Sequence, residues 1–206
     1  MVTLDVSSLY TNIPHQEGIE ARREALNSRT TKQPPTEDLT ELTNQILTKN
    51  NFEFGDQHLL QIRGTAMGTW MAPSYANIFM GKLEQELLAQ TRIKPTIWWR
   101  HNNIDDVFAL WTHGEESLIN FIGEINQAHP TIKFKAEWSR DSVSFLDTLV
   151  KLVEGQLETD LYVKPTDTHQ YLASNSCHPR HCKEAIPYSQ ALWIRHIQCG
   201  MGCTGV

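Results

Sequence analysis

Asp105 and Asp106 stand side by side within residues 97–111, a stretch otherwise rich in Ile, Trp, Val, Phe and Leu. Adjacent carboxylates between strand-like apolar runs repel each other and resist burial, and a divalent cation relieves both penalties. The pair therefore reads as a metal site. A third acid, Asp5, ends the short strand pattern Val2-Thr3-Leu4-Asp5-Val6. Acids at strand ends also cap turns, so Asp5 alone carries little. Taken with the pair, it completes what two-metal phosphoryl transfer needs, which is carboxylates from neighbouring central strands converging on two cations about 4 Å apart. Asp5, Asp105 and Asp106 are the candidate catalytic and metal-ligating residues.

The elements that must position these acids can be read along the chain. Residues 15–29 form a charged helix pattern and Lys32-Gln33-Pro34-Pro35 a loop. Thr36-Glu37-Asp38 reads as the cap of a helix with Leu39, Leu42, Ile46 and Leu47 on one face. Phe52-Glu53-Phe54 and Leu59-Leu60-Gln61-Ile62 flank Gly55-Asp56 as a hairpin. A long helix starts at Pro73 and buries Ala76, Phe79, Met80, Leu83 and Leu87. After the strand pair around Asp105-Asp106, a helix over about 115–127 presents Leu118, Phe121, Ile122 and Ile125 at helical spacing. Three strand patterns follow, at Ile132 to Trp138, Val143 to Val150 and Leu157 to Val163. The order describes an α+β protein, a sheet covered by helices on one face. From Thr166 onward the periodicity weakens.

Composition narrows the class. With 206 residues and 40% apolar content the chain can bury a sizeable core. A net charge of −6 argues against a surface that grips nucleic acid all over, while leaving room for a local basic groove. The four cysteines all follow residue 176 and do not form a secreted disulfide framework, and no signal run opens the chain, so an intracellular setting is expected. No stretch approaches the roughly 20 apolar residues of a membrane span.

The stretch from Leu4-Asp5-Val6 to Tyr10-Thr11-Asn12-Ile13-Pro14 resembles the first palm motif of reverse transcriptases from Penelope-like retroelements, relatives of telomerase. Gly64-Thr65-Ala66-Met67-Gly68-Thr69-Trp70-Met71-Ala72-Pro73, continuing through Asn77-Ile78-Phe79-Met80-Gly81, resembles the second. Ile104-Asp105-Asp106-Val107-Phe108 resembles the third, and Ser144-Phe145-Leu146-Asp147 with Leu161-Tyr162-Val163-Lys164-Pro165 resembles the approach to the thumb.

The resemblance implies an antiparallel palm-type sheet over residues 1–165, the start of a thumb over 166–206, and missing fingers. It implies RNA-directed DNA synthesis with an RNA template, a DNA primer and deoxynucleoside triphosphates as partners, two Mg²⁺ ions or Mn²⁺ in their place, and a nuclear location. Asp5 and Asp105 would hold both ions, with Asp106 less direct. Tyr10 would crowd the sugar 2′ position and exclude ribonucleotides, against the alternative of a buried core tyrosine. Met67-Gly68 would lie against the incoming nucleotide, with Gly64 and Gly68 allowing close backbone approach. Lys133 or Lys135 is the candidate proton donor to pyrophosphate, although strand alternation places both on one face, which solvent could equally cover.

Other features are weighed lower. Cys177, His178, His181, Cys182, Cys199 and Cys203 lack the spacing of a zinc site. Arg180, Lys183, Arg195 and His196 offer a modest basic face, and Trp98 and Trp99 read as strand packing. His101-Asn102-Asn103 occupies the place of a single aromatic in the family pattern, an insertion of two that preserves alternation and bulges the hairpin. With that departure and no fingers, a chain of weak or no activity alone is expected. Two further readings stand beside it, a non-catalytic nucleic-acid-binding relic and an unrelated metal-binding α+β protein.

Overall fold

The structure, a computed structural model, describes residues 1–100, 105–168 and 171–198. Strand β1 (Val2–Val6) buries Val2, Leu4 and Val6 and leaves Asp5 on its open face. Ser8, at φ 51°, ends the strand run and leads into the short α1 (Leu9–Asn12). Helices α2 (His15–Asn27) and α3 (Thr36–Thr48) follow, then β2 (Asn51–Phe54) and β3 (Gln57–Leu60). Gly55 and Asp56 between them both take positive φ, as the tight hairpin turn requires.

Helix α4 (Ala72–Gln90) carries proline in its first turn and buries the five residues its spacing predicts, together with Tyr75. Strands β4 (Ile97–Arg100) and β5 (Asp106–Leu110) pair antiparallel, with Arg100 opposite Val107. Then come α5 (Glu115–Ala128), β6 (Phe134–Trp138), β7 (Ser142–Phe145), β8 (Thr148–Val153), β9 (Gln156–Leu161) and α6 (Arg180–Gln198).

Helices mix with antiparallel strand pairs, as an α+β reading requires, but the strands form three sheets where one was expected. The central sheet runs in the order β4-β5-β1-β6, β2-β3 is a separate hairpin, and β7-β8-β9 is a meander. The apolar run from Val143 to Val150 is not one strand: Leu146, at φ 55°, and Asp147 turn it back, so that Phe145 pairs with Thr148. The chain divides into two compact units, one of Leu4–Ala136 and one of Met1–Thr3 with the residues from Glu137 onward.

Helix α3 departs from its expected face. Leu47 is buried as expected, but Leu42 and Ile46 are 54% and 45% exposed, and Thr36, Thr40 and Thr43 turn inward in their place. The Thr40 and Thr43 hydroxyls donate to the carbonyls of Thr36 and Leu39, at 2.8 and 2.7 Å, so their methyl groups can face the core with no polar atom left bare. Thr36 begins the helix rather than capping it, and Pro35 takes the cap position. Helix α6 spans residues where the sequence shows little period, and contains Pro187.

Candidate active site

The central sheet places Asp5 between two charged neighbours. On one side, the Val6 N–H donates to the Asp105 carbonyl at 3.2 Å, which seats the bend carrying Asp105 against β1. The Asp105 carboxylate lies near enough to Asp5 to act on its charge. On the other side, the Ser7 N–H donates to Lys133 O at 2.8 Å and the Ser139 N–H donates to Met1 O at 3.1 Å. Both bonds belong to one antiparallel register, in which Asp5 stands opposite Lys135. Asp106 opens β5, half-buried, on the face opposite the buried Val107. His101-Asn102-Asn103, where a bulge was expected, lie outside the described residues.

The electrostatics follow from this placement. Partial burial holds the Asp5 carboxyl above its ordinary range, the Asp105 carboxylate adds to the shift, and Lys135 opposes it. A group of oxygens under that repulsion fits a hard divalent cation, which Mg²⁺ sites commonly meet with one or two carboxylates plus water and substrate phosphates. Among the described residues no three of His, Cys, Asp and Glu gather into a ready ligand set.

The bend is braced from behind. Arg100, at the end of β4, donates from Nε to Glu84 Oε1 at 2.8 Å and from Nη1 to Asn77 Oδ1 at 2.7 Å, tying the hairpin to α4. The pair is nearly buried, and desolvation raises the Glu84 carboxyl while Arg100 opposes that rise. Sequence reading passed over this brace, because Asn77 and Glu84 become neighbours of Arg100 only when α4 packs on the sheet.

The remaining candidates separate. Tyr10 lies half-buried in α1, and its carbonyl accepts the Thr65 N–H at 2.7 Å, which docks the loop preceding α4 onto α1. Gly64 is needed there for a different reason from the one expected: at φ 67°, a side chain would run into the backbone of Tyr10 and Thr11, so its close approach is to the chain itself. Gly68 at φ 95° faces open space, and Met67 is 70% exposed.

The two lysines share the exposed face, alternating with buried Ile132 and Phe134, but differ in what they meet. Lys133 precedes β6 and its Nζ donates to the carbonyls of Asn126 and His129 at the end of α5, whereas Lys135 meets Asp5. The basic face of α6 is likewise reduced, since Lys183 donates to Ser174 O and Ser176 O and Arg180 pairs with Glu184. Trp98 packs edge-on against Phe121, while Trp99 is 49% exposed. Cys177 is exposed and Cys182 half-buried; Cys199 and Cys203 lie outside the described residues.

Helices mixed with antiparallel strand pairs define an α+β fold, and comparison with known proteins agrees at that level. No family model matches the chain, and no curated protein sequence does. Among solved structures it is similar to apo telomerase from Candida tropicalis truncated from its C-terminal domain, at 13% identity and a TM-score of 0.53. The match covers 77% of this chain and 35% of that one, so the chain spans about a third of the telomerase's length. The likeness is one of fold. No helix among the described residues is long and apolar enough to cross a membrane.

Proposed function

We propose that the chain is part of an RNA-directed DNA polymerase of a Penelope-like retroelement, adding deoxynucleotides to a primer 3′-hydroxyl. The observation that carries the reading is the nearness of Asp105, in the bend before β5 and bonded through its carbonyl to the Val6 N–H, to Asp5 on β1. The likeness of fold to a telomerase chain and the palm-like motifs support it.

Asp5 and Asp105 would hold Mg²⁺ or Mn²⁺, with Asp106 in support. A divalent cation held there would supply the positive charge that makes a primer hydroxyl more acidic and offsets charge developing on a triphosphate. Tyr10, on the helix that follows Asp5, would close off the sugar 2′ side, and Met67 with Gly68 would pack against the nucleotide. Lys135 is better placed than Lys133 to give a proton to leaving pyrophosphate, because the Lys133 ammonium is already held by two carbonyls. Template, primer and triphosphates are the partners this chemistry requires.

Purified protein given Mg²⁺ or Mn²⁺, an RNA template, a DNA primer and all four deoxynucleotides is expected to extend the primer weakly, above the level of the Asp5→Asn protein. Asp5→Asn and Asp105→Asn should each reduce extension at least about a hundredfold, the scale on which misplaced catalytic geometry acts. Extension no greater than that of the Asp5→Asn protein sinks the reading.

A further inference from the structure

The central sheet ends at β6, and among the described residues no further strand pairs with the side of β6 turned away from β1. Alternate residues of an antiparallel strand present their N–H and C=O to opposite sides. The Lys133 carbonyl faces β1, where it accepts the Ser7 N–H, so the polar groups of Phe134 face outward. There they meet one side chain. The Phe134 N–H donates to Asn126 Oδ1 at 2.7 Å, and Asn126 Nδ2 donates back to the Phe134 carbonyl at 3.0 Å.

Neighbouring bonds reinforce the same end of α5. The Ile132 N–H donates to His129 Nδ1 at 3.0 Å, and His129 Nε2 lies 2.8 Å from Glu17 Oε2. Three consecutive residues, Ile132, Lys133 and Phe134, are thus tied to the end of one helix just before Lys135.

We propose that Asn126 is a positioning residue for the site: its carboxamide replaces a neighbouring strand at the free edge of β6 and so sets Lys135 opposite Asp5. The proposal rests on the reading of Asp5 and Asp105 as the reaction centre. A one-residue slip of β6 turns Lys135 to the core face and Phe134 outward. A two-residue slip keeps the face but carries Lys135 about 7 Å along the strand, away from Asp5. The amide of Asn126 opposes both, because it accepts from and donates to a single residue.

Amide hydrogen exchange followed by NMR tests the clamp without reference to activity. Asn126→Ala is expected to speed exchange at Phe134 and, about tenfold, at Ser7, which Asn126 does not touch but whose N–H bonds to β6. Val6, whose N–H bonds toward Asp105, should keep its wild-type rate. Faster exchange at Phe134 with Ser7 unchanged overturns the proposal. Should Asn126→Ala fail to fold, Asn126→Asp retains the acceptor and should show the same pattern more weakly.

In primer extension, Asn126→Ala should lower kcat with KM for nucleotide within about twofold of wild type, and should add nothing on a Lys135→Gln background. Losses that multiply in the double variant also overturn the proposal. If the wild-type chain extends no better than Asp5→Asn, the polymerase reading fails and the exchange rates decide the clamp by themselves.

Discussion

Ionised Asp5 gives up part of its hydration and faces Asp105, and Lys135 offsets this only in part. The folded chain therefore holds a proton on Asp5 more tightly than the unfolded chain does. For an acid shifted upward, the cost to stability is absent below the unfolded pKa, near ~3.9, and is fully present above the folded one. Asp5→Asn should then stabilise the metal-free protein at pH 7 by up to about 0.5 kcal/mol, kept small because solvent screens an exposed group. At pH 3 it should change nothing. Thermal melts in chelator at the two pH values check this, and a lower melting temperature for the variant at pH 7 counts against it. The acids were legible as residues because carboxylates among aromatic and β-branched neighbours stand out. Lys135 was legible only as one of two candidates, since nothing in Phe134-Lys135-Ala136 says which strand lies alongside.

Helices α2 and α4 meet where a glycine makes room for a tyrosine. Tyr75 is fully buried, its hydroxyl has no hydrogen-bond partner among the described residues, and burial drives its pKa well upward. A methyl group at Gly18 would run into the Tyr75 ring and hydroxyl. Gly18→Ala should destabilise the protein by about 1–3 kcal/mol, as overpacking does, and Tyr75→Phe should stabilise it by about 1 kcal/mol by removing an unpaired buried hydroxyl. Urea unfolding measures both; a loss on Tyr75→Phe would mean that the hydroxyl has a partner. Periodicity revealed α4 fully because its apolar residues fall on one helical face. It misled in part at α3, where Leu47 is buried as expected but Leu42 and Ile46 are exposed and Thr36, Thr40 and Thr43 turn inward, the last two with hydroxyls bonded to the helix's own carbonyls.

Taken whole, the chain carries 18 Lys and Arg against 24 Asp and Glu, and several of its cations are committed to internal partners, among them Arg100, Lys133 and Lys183. A primer-template held by the proposed enzyme would be neutralised at only three or four phosphates, so affinity should fall about a hundredfold between 50 and 200 mM salt. Fluorescence anisotropy across that range measures the slope, and a flat response rules out phosphate-led binding. The sequence by itself determined the strand that bears Asp5, the hairpin entering Asp105-Asp106, the long α4 and the mixed class, because each depends on local period, turn chemistry or the cost of burying charge. Only the tertiary structure decided that β1 lies between β5 and β6, that the strands divide into three sheets, and that Lys135 rather than Lys133 faces Asp5. Strand neighbours are fixed by backbone pairing between residues far apart in the chain, as between Val6 and Asp105, and no local pattern records that pairing.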